Sequence, residues 1–401
     1  MENMNKDIKK ILWVTALYSF AGGLFYNFIE LWLLSNKFSV SEVSTIYSIG
    51  AFATAVGIII FSYVIKQKNI QNFTLALLII KSIIFYLMFQ INGLGFKTII
   101  GILFIIDFVI DTEIYVLLYP MISTIKKDDK LYATRGLTYE VFYYIAYFIS
   151  GLLIGKVLLT YKFTYNSFAI LGTFILFASV VILLDVDLDK YIKKDKVMNS
   201  KNSLFRTLDK IKKDKISILY LVFVFFATIA RFTVVGVTMI ILTKNIGLSS
   251  ENASYVRLLF NISAVLIASL ILRKFTFKNN YINIFIRYGF LIILYLLAIF
   301  YYNNATLLIA IGYTLISAST YTHVMDAPYI NRYKEDEQIA FVNIRETIRY
   351  ISRAIGTYIC GLCLAYSFKL NISVSLIGFI FTIILSCSAY YYINKNKVIK
   401  K

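Results

Sequence analysis

Apolar runs of membrane length constrain this chain more than any other feature of its sequence. Stretches of about twenty residues with few charges recur along all 401 positions. A hydrocarbon core of ~30 Å needs ~20 helical residues at 1.5 Å each. Short charged turns separate the runs, so the 59% apolar content does not describe one large soluble core. The pattern predicts twelve helices, over residues 11–34, 43–65, 73–90, 98–119, 136–159, 165–184, 216–242, 253–272, 281–301, 305–329, 341–368 and 374–393. The expected fold class is an all-α membrane protein. The first run is too long for a signal-peptide core and no small-residue cleavage site follows it, so it is read as a retained helix.

The net charge of +19 would suggest nucleic acid in a soluble domain. Here the basic residues fall in alternate turns. One set holds Lys66, Lys68, Lys126, Lys127, Arg273, Lys274 and Arg332, together with both termini and the stretch 185–215. The opposite set holds little beyond Lys37, Lys97, Lys162, Lys244 and Lys369. Positive loops stay on the cytoplasmic side. Both termini and the central stretch are therefore expected in the cytoplasm, with the chain multi-pass in a cell membrane and the lipid bilayer as its partner. The central stretch divides the chain into a block at 1–184, a linker at 185–215 and a block at 216–401. A surface helix is expected within the linker, around 203–213.

The two blocks repeat each other. The only prolines are Pro120 and Pro328, each expected to end the fourth helix of its half. A charged turn follows each, at 127–130 and at 334–337. Next comes a helix with a glutamate, Glu140 or Glu346, and then glycines, Gly151 and Gly155 or Gly356 and Gly361. The offset is about 205–208 residues throughout. An ordered set of matches at one offset is the mark of an internal repeat. Two six-helix halves about a midplane site suit alternating access.

On these residues the chain resembles the major facilitator superfamily. The run from Pro120 through Asp129, Arg135, Gly136 and Glu140 to Gly151 and Gly155 is similar to that family's loop and fifth helix. The family's glycine- and aspartate-bearing signature between helices 2 and 3 is reduced here to the basic pair Lys66 and Lys68. The stretch from Asn343 to Arg353 resembles poorly characterised members from Gram-positive bacteria, and heavy use of Ile, Lys, Asn, Tyr and Phe points to an AT-rich genome. The resemblance implies two pseudo-symmetric six-helix bundles. Helices 1, 4, 7 and 10 would line a cavity, 2, 5, 8 and 11 would join the halves, and the remainder would face outward.

Ionisable groups at membrane depth cost at least ~2.5–3.5 kcal/mol each and call for an explanation. Helix 4 carries Asp107 and Asp111, one turn apart on a shared face, and Glu113 on another. Lys81 and Asp107 each stand nine positions from the same outer turn, which predicts a structural ion pair and leaves Asp111 to face the cavity. Arg231 on helix 7 is a partner for Asp111 or a group for an anionic substrate. Glu30 on helix 1 either snorkels outward or binds a proton. These four, Asp111, Arg231, Glu30 and Asp107, are the substrate and ion-coupling candidates.

Arg345, Arg349 and Arg353 form one stripe on helix 11 with Glu346 beside them. With Glu140 they are candidates for a cytoplasmic gate or an anion route. The plainer reading is contact with lipid phosphates and loop acids. Asp326, near the cytoplasmic end of helix 10, is expected to be solvated. Arg257 and Arg287 are expected to be structural or interfacial.

No catalytic or nucleotide-binding motif is visible, no cofactor is implied, and a single histidine, His323, excludes a multi-histidine metal site. Cys360 and Cys363 read as small residues packing a membrane helix. The expected function is a monomeric secondary transporter of a small-molecule substrate, coupled to protons because buried carboxylates take up and release protons as solvation changes. Aromatic-rich helices favour efflux over uptake. A non-transporting receptor or assembly factor on the same scaffold is the alternative.

Overall fold

The computed structural model describes residues 2–26, 29–64, 69–91, 94–125, 138–139, 141–146, 149, 165–188, 191, 200–274, 280–315, 333 and 335–399. Its long elements are all helical: α1 (Glu2–Tyr26), α2 (Ile29–Ser35), α3 (Val40–Val64), α4 (Ile70–Gln90), α5 (Lys97–Ile125), α6 (Tyr165–Leu184), α7 (Ser200–Lys213), α8 (Lys215–Val235), α9 (Ser250–Lys274), α10 (Asn280–Phe300), α11 (Asn304–Leu315), α12 (Glu335–Leu364) and α13 (Phe368–Ile399). Among the described residues, six segments are long and apolar enough to cross a membrane: Lys6–Ser35, Val40–Tyr63, Ile70–Gln90, Ser167–Leu184, Lys215–Asn245 and Phe368–Ser388. Two shorter apolar helices add to these, Arg287–Phe300 and Asn304–Leu315. Large apolar side chains such as Phe52, Ile60, Phe174 and Val181 stay exposed along these helices, as a lipid-facing surface requires. The chain is an all-α membrane protein.

Residues group into two compact units. The first comprises Met1–Ser39, Tyr63–Met198 and Leu248–Leu258; the second comprises Val40–Ser62, Asn199–Gly247 and Leu259–Lys401. Each block of the sequence thus gives one stretch to the unit made mainly by the other.

In the first unit, α1, α4, α5 and α6 pack around Ile11, Val14, Leu78, Ile114, Leu118 and Leu176. The side-chain amide of Gln71 on α4 donates to the carbonyls of Leu183 (3.0 Å) and Val186 and accepts from Leu188 N at 3.3 Å. It thereby adds hydrogen bonds to the backbone at the end of α6, where helical pairing runs out. Nearby, Lys10 binds the Asp185 carboxylate at 2.7 Å and its carbonyl at 2.5 Å. The Lys10 hydrogen bond holds the Asp185 carboxyl below the usual carboxylate range.

In the second unit α8 packs on α12 and α13, and α10 packs on α13. The buried amide of Asn371 on α13 donates to Thr233 O at 2.8 Å and Cys360 O at 3.1 Å, tying all three helices. Cys360 and Cys363 are buried and outside any disulfide. Gly356 allows α12 its close approach to α8: a Cβ there would stand 2.7 Å from Ile229 O. Gly361 does the same for α3, where a Cβ would stand 2.5 Å from Ser44 Cβ.

The expected surface helix is α7. Ile211 and Thr207 are buried, Lys210 pairs with Glu337, and Asp214 caps α8 by accepting from Ile216 N at 3.1 Å and Ser217 Oγ at 2.7 Å. One expectation fails. Helix α5 does not end at Pro120 but continues to Ile125, because a proline removes one backbone bond and need not end a helix whose neighbours refill it. Pro328, Glu140, Gly151, Gly155, His323 and Asp326 lie outside the described residues.

The repeat has a mark in the backbone. The two described residues with left-handed φ are Lys37 (66°) and Gly247 (80°). They stand 210 positions apart, at the turn after the first predicted helix of each half.

Candidate functional site

Three elements of the first unit converge on one ammonium group. Lys81 lies on α4, Asp107 and Asp111 lie one turn apart on α5, and Tyr18 and Tyr26 lie on α1. Lys81 Nζ is 3.0 Å from Asp107 Oδ1, 2.8 Å from Asp111 Oδ1 and 2.9 Å from Tyr26 Oη. An ammonium has three protons to donate, and here all three have acceptors. Tyr26 in turn donates to Asp107 Oδ2. Tyr18 donates toward Asp111, 2.6 Å from Oδ1 and 2.5 Å from the backbone carbonyl. The rings of Tyr26, Tyr18 and Phe85 surround Lys81, with centroids at 5.1, 5.8 and 5.8 Å.

The side chains of Lys81 and Asp107 are fully buried, whereas that of Asp111 is 23% exposed. Asp111 is the open side of the cluster. Moving charges out of water costs several kcal/mol per ion, recovered only with tight geometry and further hydrogen bonds. The two tyrosines supply those bonds. The charge count is uneven, however: one ammonium faces two carboxylates. If both are ionised the cluster carries one net negative charge in a water-poor site. Taking up a single proton removes it.

Asp111 is thus not left over from a Lys81–Asp107 pair, since one lysine bridges both. Arg231, the partner expected for Asp111, belongs to the second unit; the cation that Asp111 meets in its own unit is Lys81. Glu30 is buried, with Oε1 3.7 Å from Arg257 Nη1, an ion-paired position and not that of a side chain reaching for solvent. Glu113 is also buried, and its Oε1 has no hydrogen-bond partner among the described residues. Tyr18 and Tyr26 carried no signal in the sequence: the chain has 32 tyrosines, and nothing in the helix 1 pattern singles these two out.

The second unit gathers the basic candidates. Arg231 on α8 lies within electrostatic reach of Arg349, Arg287 and Arg353. Arg231 and Arg353 share the ring of Phe232, their Cζ atoms 5.1 and 4.9 Å from its centroid. Glu346 is drawn to Arg345 at 2.5 Å and to Arg349 at 3.5 Å. No group of His, Cys, Asp and Glu residues suited to a metal occurs among the described residues.

No protein-family model matches the sequence, and no curated protein matches it. Solved structures do match its shape. The crystal structure of nucleoside transporter NupG superposes with a TM-score of 0.67 at 12% identity, covering 96% of this chain and 98% of that one. The human organic anion transporter MFSD10 gives 0.69 at 11% identity, covering 96% and 99%. A D-xylose-proton symporter gives 0.65 at 10% identity, covering 94% and 95%. The chain therefore shares the fold of these three proteins. At these identities the likeness establishes the fold and leaves the activity to be argued from the residues.

Proposed function

We propose that the protein is a proton-coupled secondary transporter that moves a small solute across a bacterial cell membrane by alternating access, as a monomer and in the direction of efflux. The observation that carries the proposal is the buried cluster in which Lys81 faces Asp107 and Asp111, with Asp111 the exposed member. A purely structural pair would need one acid for one lysine. A second acid gives the cluster a vacancy for one proton at membrane depth, and intramembrane carboxylates mark proton relays.

In this reading the halves 1–184 and 216–401, joined by the linker 185–215, rock about the site with both termini in the cytoplasm. Proton binding at Asp111 loosens its hold on Lys81 and Tyr18. Coupling requires that this hold differ between the inward- and outward-open forms, because a ligand with equal affinity for both shifts nothing. Buried Glu30 and part-buried Arg257 form a second pair in the same unit, and Glu140, Arg345, Glu346, Arg349 and Arg353 are assigned to the cytoplasmic gate. The source is assigned to a Gram-positive branch by the resemblance of the segment from Asn343 to Arg353. The fold shared with known transporters supports the class of activity, and the aromatic-rich helices support efflux.

The test is a screen of labelled solutes in inverted vesicles with and without an imposed pH gradient. At least one solute is expected to accumulate only when the gradient is present and the wild-type chain is expressed. Accumulation that ignores the gradient, or depends equally on a membrane potential alone, contradicts proton coupling.

A further inference from the structure

The third helix of each sequence half carries a buried cation at matching positions. Lys81 on α4 and Arg287 on α10 are both buried and stand 206 residues apart, within the offset of the repeat. In the first half the cation meets two aspartates on the next helix. The corresponding window of the second half, residues 313–321, contains no acid at all. Arginines gather there instead: Arg287 stands with Arg231, Arg349 and Arg353 in one field of like charge. Across α8, α10, α11, α12 and α13, the one acid beyond the first turn of α12 is Glu346, and it is engaged by Arg345 and Arg349.

Arg231 has an unmatched guanidinium donor. Its Nε is buried and has no hydrogen-bond partner among the described residues. Like charges at close range repel, and a buried donor without an acceptor is costly, more so when charged. A guanidinium fork is shaped for an oxyanion, which it holds by paired charge-assisted bonds. The Phe232 ring stands beside the guanidiniums of Arg231 and Arg353, and Tyr288 and Tyr295 both act electrostatically with Arg231. The surroundings are thus basic and aromatic together.

We propose that Arg231, with Arg287, Arg349 and Arg353, forms an oxyanion-binding site in the second unit, and that the transported solute is an organic anion with an aromatic or apolar body. This rests on the transport reading for its second part only; the site itself is defined by binding. The two halves then divide the labour: the acidic excess around Lys81 takes the proton, and the basic excess around Arg231 takes the anion.

The test uses the purified full chain in detergent and three probes of one shape: benzenesulfonate, phenyl phosphate and the neutral benzenesulfonamide, at constant ionic strength. Binding is read as a shift of the thermal unfolding midpoint and as displacement of labelled benzenesulfonate. The wild type is expected to bind the two anions at least about tenfold more tightly than the neutral probe. Arg231→Gln is expected to lose that preference, and Arg231→Lys to keep part of it, which covers the case in which the glutamine variant does not fold. Equal affinity for anion and amide overturns the site. Full displacement of benzenesulfonate by phosphatidylglycerol micelles also overturns it, since the cluster would then be a lipid-headgroup site. If the cluster is neutralised by the chain's own Asp326, benzenesulfonate will bind only after Asp326→Asn, and the proposal fails. Binding without movement of the anion in vesicles would leave the site standing and overturn the transport reading of it.

Discussion

Lys81 stands 2.8 Å from Asp111 and 3.0 Å from Asp107, so a single ammonium holds both aspartates of α5. The two acids differ in what else they touch. Asp107 is sealed, with Tyr26 on its second oxygen. Asp111 keeps part of its surface open. The pair with Asp107 is therefore expected to hold the unit together and the pair with Asp111 to change.

Removing one side of the sealed pair should be costly. A buried charge left without its partner destabilises by about 3–5 kcal/mol. Lys81→Asp or Asp107→Lys alone should sharply lower the yield of folded protein, and the double reversal should recover much of it. Fluorescence-detected size exclusion of the three variants measures this. Normal yield from either single variant would deny the pair its structural role.

The glycine approach of α12 to α8 gives a second expectation. A side chain at position 356 meets the Ile229 carbonyl at 2.7 Å, and backbone cannot swing aside as a side chain can. Gly356→Leu should destabilise by about 1–3 kcal/mol through overpacking, seen as a lower unfolding midpoint in detergent. A wild-type midpoint would mean that the helices separate freely at this point.

The first two predictions rest on features of unequal visibility in the sequence. The apolar runs, the surface helix near 203–213 and the depth match of Lys81 with Asp107 could all be read directly, because length, charge and helical rise fix them. The bridging of Asp111 could not, since sequence depth gives no azimuth between two helices. Tyr18 and Tyr26 were hidden by the abundance of tyrosine. Pro120 misled because a proline signals a helix end in water, while α5 runs on to Ile125. Arg287 reads as a structural residue by itself, and only its offset from Lys81, with the acid-free window 313–321, gives it a further meaning.

The Lys10–Asp185 link should show in acid. Its carboxyl is held below the ordinary 3.8. A group with a depressed folded-state value adds stability above its unfolded value and loses it as pH falls through the folded one. Asp185→Asn should thus narrow the gap in unfolding midpoint between neutral pH and pH values below about 4. The side chain is largely exposed, so the effect should be small and fade in ~1 M salt. A variant whose midpoint follows pH as the wild type does would leave the link without consequence.

The most direct test of proton coupling is the behaviour of Asp111→Asn in reconstituted vesicles. The substitution leaves the Lys81–Asp107 pair as one cation with one anion, so folding is expected to survive. Using a solute that the wild type accumulates against its gradient when pH is lower on one side, the variant should equilibrate and exchange that solute but fail to concentrate it. Concentration by Asp111→Asn to the wild-type level, at the same imposed pH difference, would contradict the assignment of the coupling proton to this cluster.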